Sequence, residues 1–204
     1  MTAETDQKPR GRQAQRRHTR QRVYDAAIAE FKRQGMADAD IGAIVSAAGV
    51  ARGTFYFHFP TKEHVLEDVE RNLVTRLAND LARFVASPHD LWSTFAQTVR
   101  LVVAAESRLG TRLFRDVLAL HFSQTRPPGF GKSIEHPLVA LVAGEIERAR
   151  DAGLVYPQVD ASNSALFFLL GVYSLLVTNH EPKPARARIL DEFVASTRRG
   201  LEAR

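Results

Sequence analysis

The sequence predicts an all-α fold. Apolar residues recur every three or four positions along most of its length. Strand-like alternation bounded by turns is missing, and the prolines are sparse and grouped, so they separate helices rather than interrupt them. No internal repeat or low-complexity block follows residue 22. At 204 residues, with 45% hydrophobic and 25% charged residues, the chain can bury a sizeable core in one domain or two small ones.

The first helix is expected from about Thr19 to Gln34, where Val23, Ala26, Ala27 and Phe31 share a helical face and Gly35 supplies a stop. Asp40 is a good N-cap for a short second helix, with Ile41, Ile44 and Val45 inward, ending near Ala48 and Gly49. A third helix runs from Ala51 to about His58, where Pro60 ends it. Thr61 can cap a fourth, with Glu63 in its first turn, where the helix dipole favours an acid. Leu66, Val69, Leu73, Leu77, Leu81 and Phe84 give that helix one apolar stripe, and Ser87-Pro88 breaks it. Further helices are expected over 89–106, 108–123, 137–152, 161–180 and 185–202. The proline- and glycine-rich segment 124–137 is a loop, and Tyr156-Pro157 and the EPKP at 181–184 mark two more breaks.

The charge is uneven. Residues 1–22 hold seven Lys and Arg against Glu4 and Asp6, and the remaining 21 basic and 21 acidic residues cancel, so the net +5 lies at the N-terminus. Such an arm suits a phosphate backbone or an anionic membrane surface; its bland reading is a solvated, disordered tail. No apolar core follows the charges, as a signal peptide would require. The longest apolar run, ALFFLLGVYSLLV at 165–177, has 13 residues, short of the roughly 20 that span a bilayer. The expected location is cytoplasmic. The absence of cysteine excludes a disulfide framework, a thiolate metal site and a cysteine nucleophile.

Residues 49–59 read GVARGTFYFHF. As a strand, Phe55, Phe57 and Phe59 would alternate with Tyr56 and His58, but helices bracket the stretch and no partner strand is in view. As a helix, Phe55 and Phe59 share an inward face with Val50, and Gly53, Thr54, Tyr56 and Phe57 point away from it. A short helix, a tight turn at Gly49 and a second helix offering Gly, Thr and Tyr outward form a helix-turn-helix, whose second helix enters the DNA major groove. Small residues at Ala51 and Gly53 let backbone approach phosphate, and Arg52 adds a charge at the helix N-terminus.

The run VYDAAIAEFKRQG at 23–35, followed by DIGAIVSAAGVARGTFYFHFPTKEHVLEDV at 40–69, resembles the DNA-binding domain of the TetR family of bacterial transcriptional regulators. The likeness rests on Ala26-Ala27, Phe31, Gly35, Ile44, Ala48-Gly49-Val50, Gly53-Thr54, Tyr56, His58-Phe59 and Lys62-Glu63, and covers roughly residues 19–70. The resemblance implies an all-α homodimer: an N-terminal three-helix helix-turn-helix DNA-binding domain joined to a C-terminal helical ligand-binding and dimerisation domain. It places Arg52, Gly53, Thr54, Tyr56, Phe57 and His58 on the reading helix and Lys62 against a phosphate. Two positions depart from the family pattern. Asp40 replaces the usual threonine, and an acid near phosphate is unfavourable; Ala51 replaces the usual serine, losing a hydroxyl contact and an N-cap. Phe57 cannot donate a hydrogen bond to a base but can pack on a thymine methyl. The implied organisation is a basic, flexible arm over 1–18, a helix-turn-helix domain over 19–64 and a helical ligand-binding and dimerisation domain over 65–204.

Beyond residue 70 the resemblance is architectural only. A helix through ALFFLLGVYSLLV is apolar all round and must be covered all round. Phe167, Leu170 and Tyr173, with Ile189 and Phe193 on the last helix, are the expected dimer contacts, in a twofold packing of four helices; the bland reading is a central helix of a monomer. Trp92, Phe95, Phe114, His121, Phe122 and Phe168 are the candidates for lining a pocket for an apolar or aromatic effector, an assignment that leans on family habit. Arg115, Asp116 and His121 are polar groups on a mostly apolar helix, placed to orient a polar ligand group or to face solvent.

GFGKS at 129–133 lacks the earlier glycine of a phosphate-binding loop, since that position is Arg126. The histidines show no metal spacing, and no nucleophile elbow or acid–base constellation is present. No metal, cofactor or catalytic residue is expected, and the protein is not expected to be an enzyme. The expected function is a ligand-responsive transcriptional regulator, foremost a repressor that binds a palindromic or pseudopalindromic double-stranded DNA operator as a dimer and is released by a small molecule. The alternative is a helical small-molecule binding protein with weak or vestigial DNA binding.

Overall fold

The computed structural model describes residues 7–121, 136–179 and 181–203. Among them the chain forms nine helices: α1 Gln7–Gln34, α2 Ile41–Ala48, α3 Arg52–His58, α4 Lys62–Val85, α5 Leu91–Leu109, α6 Thr111–His121, α7 Pro137–Asp151, α8 Ala161–Thr178 and α9 Lys183–Leu201. The all-α expectation holds.

The first helix begins at Gln7 rather than near Thr19, so the described part of the expected flexible arm is helical. The segment is mostly arginine, glutamine, lysine and alanine, good helix formers that outweigh Gly11. Pro9 falls in the first turn, where its missing N–H has no intrahelical partner to lose.

The helices fall into two compact units. The first comprises the described residues up to Val69 together with Leu109–Leu120; the second comprises Glu70–Arg108 and the described residues from His121 onward. This differs from an expected division at residues 64 and 65, because α6 joins the first unit. Two side chains of α6 hold it there by capping the end of α1: Arg112 Nη1 donates to the Arg33 carbonyl at 2.7 Å, and Asp116 Oδ2 accepts from the Met36 N–H at 2.8 Å. Asp116 therefore closes the α1 turn. Gly35 makes the turn possible with a φ of 86°, a left-handed conformation that a Cβ would strain.

The core of the first unit is Val23, Ala27, Phe31, Ile44, Phe55, Phe59, Val65 and Leu66, all at most 1% exposed. In the second unit α8 packs against α7 and α9. Ala165, Phe168, Leu169, Val172, Tyr173 and Leu176 form its buried side. The helix has 18 residues, more than its 13-residue apolar run, and is long and apolar enough by length and composition to cross a membrane. An antiparallel bridge between Val155 and Glu202, with Tyr156 N–H donating to the Leu201 carbonyl at 3.1 Å, ties the turn after α7 to the end of α9.

Candidate nucleic-acid interface

Helix α3 is positioned from its buried side. Phe55 and Phe59 are 0% and 1% exposed, with ring centroids 6.2 Å apart. Burying a phenylalanine contributes roughly 1.5–3 kcal/mol, so these two rings fix the rotation of α3. Asp40 caps α2, its Oδ1 accepting from Gly42 N–H at 2.8 Å. It thus shapes the entry to the motif. Gly49 ends α2 with a φ of 62°, and Arg22 of α1 donates to the carbonyls of Ala48 and Gly49 across that turn. Ala51 occupies the N-cap of α3 without a side-chain hydrogen bond, as expected of an alanine there.

With that side committed, Arg52 and Gly53 are exposed and Thr54 is half-buried at the start of α3. Tyr56 is 42% and Phe57 64% exposed, large rings left on the surface. His58 is half-buried; burial, followed by the charges of Arg16 and Arg20, pushes its pKa down, which favours the neutral ring. The six expected reading-helix residues therefore lie on one seven-residue helix, and the expected core pair lies beneath them.

Lys62 has partners within the chain. Its Nζ donates to the carbonyls of Ala37 and Ala39 at 2.7 and 3.2 Å, which ties the start of α4 to the loop between α1 and α2. Glu63 is held below the usual carboxylate range by hydrogen bonds from Thr61 and from its own backbone N–H. The side chain of Thr61 also meets His64 Nδ1 at 3.0 Å.

The effector-side candidates do not form one group. Trp92, Phe95 and Phe168 join one aromatic cluster with Phe193: Trp92–Phe95 5.9 Å, Phe95–Phe168 4.5 Å and Phe168–Phe193 5.6 Å between centroids. The Arg198 guanidinium lies over Trp92 at 5.3 Å. His121 belongs to a polar cluster instead. Its Nδ1 is 2.6 Å from Glu70 Oε1, and its ring is 5.4 Å from His136 and 6.4 Å from Tyr173. Phe114 is buried within the first unit. Phe122 and the GFGKS stretch lie outside the described residues.

The expected dimer set divides as well. Phe167, Leu170 and Ile189 are exposed, at 65%, 37% and 37%. Tyr173 is buried at 8% exposure, and burial followed by the nearby Glu70 charge raises its pKa, so it is a neutral phenol inside its own unit and not a surface contact. Phe193 is half-buried and fills the space over Gly171, so it is committed first to packing within the chain. Sequence reasoning missed Glu70 and His136. Glu70 carried a readable signal: it lies four residues after Leu66, on the apolar side of α4, and is 3% exposed.

Comparison with known proteins agrees with this geometry. The family model for bacterial regulatory proteins of the tetR family matches residues 23–69. The uncharacterised HTH-type transcriptional regulator YvdT of Bacillus subtilis is 28% identical over 118 residues, 58% of this chain and 55% of that protein. The uncharacterised HTH-type transcriptional regulator TtgW of Pseudomonas putida is 46% identical over 56 residues, 28% of this chain and 42% of that one. The chain thus spans about half the length of these curated relatives. Among solved structures, Thermus thermophilus FadR, a TetR family transcriptional repressor in complex with lauroyl-CoA, superposes with a TM-score of 0.66 at 21% identity, over 91% of this chain and 96% of that one. That likeness is one of fold. The chain carries the helix-turn-helix domain of the TetR family of bacterial regulatory proteins, within a fold shared with a solved repressor of that family.

Proposed function

We propose that this protein is a ligand-responsive, DNA-binding transcriptional regulator, a cytoplasmic repressor that binds its operator as a homodimer and is released by a small molecule. The observation that carries the reading is α3: a short helix fixed by two buried phenylalanines, presenting Arg52, Gly53, Thr54, Tyr56, Phe57 and His58 together. Arg52 and the free N–H groups of the helix start suit phosphate, and Tyr56 and Phe57 suit base edges and thymine methyls. Lys62 supports the site by holding the start of α4.

The exposed Phe167, Leu170 and Ile189 support a dimer face on α8 and α9. A twofold dimer would present its two reading helices to successive major grooves, about 34–36 Å apart. The lauroyl-CoA carried by Thermus thermophilus FadR supports a small-molecule role for the C-terminal helices, whose packed interior holds the apolar Trp92–Phe95–Phe168 cluster and the polar Glu70–His121 pair. A ligand that prefers one of two states shifts the operator equilibrium by its differential affinity for them.

The test is a selection from random duplexes by the purified chain, followed by titration of the selected duplex. Arg52→Ala is expected to weaken binding to all duplexes alike. Tyr56→Ala is expected to weaken the selected duplex most, by about 1–3 kcal/mol if it reads a base. Unchanged binding in both variants would remove α3 as the reader.

A further inference from the structure

The face of α1 that carries Phe31, Ala27 and Val23 into the core continues past the core. Steps of three and four residues toward the N-terminus lead from Val23 to Arg20, Arg16 and Arg12, all on one side of the helix. Arg20 is absorbed locally: it pairs with Asp68, and its guanidinium lies 4.4 Å from the Phe59 ring centroid. Arg16 lies over Phe57 at 4.8 Å, on the ring that α3 leaves 64% exposed. Arg12 is one turn further out, about 6 Å along the axis, and is exposed. From Gln7 to Arg20 there is no aspartate or glutamate, so no acid on the helix neutralises this stretch.

We infer that Arg12 and Arg16 make the start of α1 a second DNA element, gripping the phosphate backbone beside the groove that α3 enters. The inference rests on the assignment of α3 as the DNA reader. Charge complementarity supports it, because the whole net charge of the chain lies in its first 22 residues. Continuity supports it as well, because the Arg16–Phe57 contact joins this stripe to the exposed face of α3. A guanidinium held against a ring keeps its donor edge free and oriented, and that edge matches two phosphate oxygens. Phe57 thereby acquires a positioning role in addition to any contact with a base.

The experiment uses the full chain and a duplex that it selects from a random-sequence pool, with a scrambled duplex beside it. Affinity is measured by fluorescence anisotropy over a range of salt concentrations for the unaltered chain, R12A/R16A, R12K/R16K and the charge-matched control R76A/R100A, whose arginines are exposed elsewhere. Each phosphate contact contributes about 0.9 to the slope of log affinity against log salt. R12A/R16A is expected to flatten that slope by about 1.8 per protomer. It is also expected to lower affinity on the order of tenfold or more on both duplexes. R12K/R16K keeps the charge and recovers most of the slope, and the control matches the unaltered chain. A merely structural role for the two arginines would change melting behaviour without changing the slope. An unchanged slope in R12A/R16A, or an equal change in the control, overturns the inference while leaving α3 as the reader. Failure of the unaltered chain to select any duplex overturns both.

Discussion

Replacing Gly171 by alanine sets two effects of opposite sign against each other. A Cβ at that position would lie 2.8 Å from Phe193 Cε2, 3.2 Å from Cε1 and nearer still to Cζ. The Phe193 ring cannot swing away freely, because it is stacked on Phe168 with planes 9° apart and centroids 5.6 Å apart. Overpacking of this kind costs about 1–3 kcal/mol. Alanine is the better helix former by about 1 kcal/mol, so the expected net loss is about 1 kcal/mol, within a range of roughly 0–2. For a chain of this size that corresponds to about 2–4 °C in Tm per kcal/mol. The decisive assay is a double-mutant cycle by urea denaturation at fixed protein concentration, because the proposed dimer would make stability concentration-dependent. In a Phe193→Ala background the methyl has room, and Gly171→Ala is expected to turn stabilising, with a coupling of about 1–3 kcal/mol between the two sites. A Gly171→Ala change that stabilises equally in both backgrounds would refute the close approach of α8 and α9.

Two further predictions concern buried charge. His89 meets Glu145 Oε2 through Nε2 at 2.7 Å and the Ser87 carbonyl through Nδ1 at 2.7 Å, and its pKa is raised, first by the Glu145 hydrogen bond and then by that of Ser87. A raised histidine value means that this pair's stabilisation is complete below the unfolded value of about 6.5 and is lost as pH rises through the folded value. Urea midpoints from pH 6 to 9 should therefore converge for the unaltered chain and His89→Gln, and a pH-independent gap would contradict the assignment. Glu106, 2% exposed, receives two hydrogen bonds from Arg186 at 3.0 and 2.7 Å. Removing one partner of a buried pair costs about 3–5 kcal/mol, so Glu106→Ala should be strongly destabilising and the double change to apolar residues much less so; equal losses would show that Arg186 is not left stranded.

The helix-turn-helix was legible because its determinants are local. The spacing of Phe55 and Phe59, the Asp40 cap and the left-handed Gly49 each constrain the chain within a few residues. The start of α1 was harder to read, because a run of arginine and glutamine without acids has the composition of a solvated tail as well as good helix propensity. Lys62 was placed by the family pattern, but its carbonyl partners lie 23 and 25 residues away, a separation over which spacing carries no information. The run ALFFLLGVYSLLV is apolar all round, so its pattern does not say which side faces inward. Only the tertiary packing buries Tyr173, beside His121 and Glu70, and leaves Phe167 and Leu170 outside. The polar cluster was half visible: His121 stood out on its helix, and Glu70 interrupted an apolar face, but nothing in the sequence brought the two to 2.6 Å.

Whether α3 reads DNA is decided by competition of a selected duplex against a scrambled one, with stoichiometry, at several salt concentrations. Selective binding in whole dimers is expected, with affinity falling steeply as salt rises. Equal binding to both duplexes, or none, would contradict it.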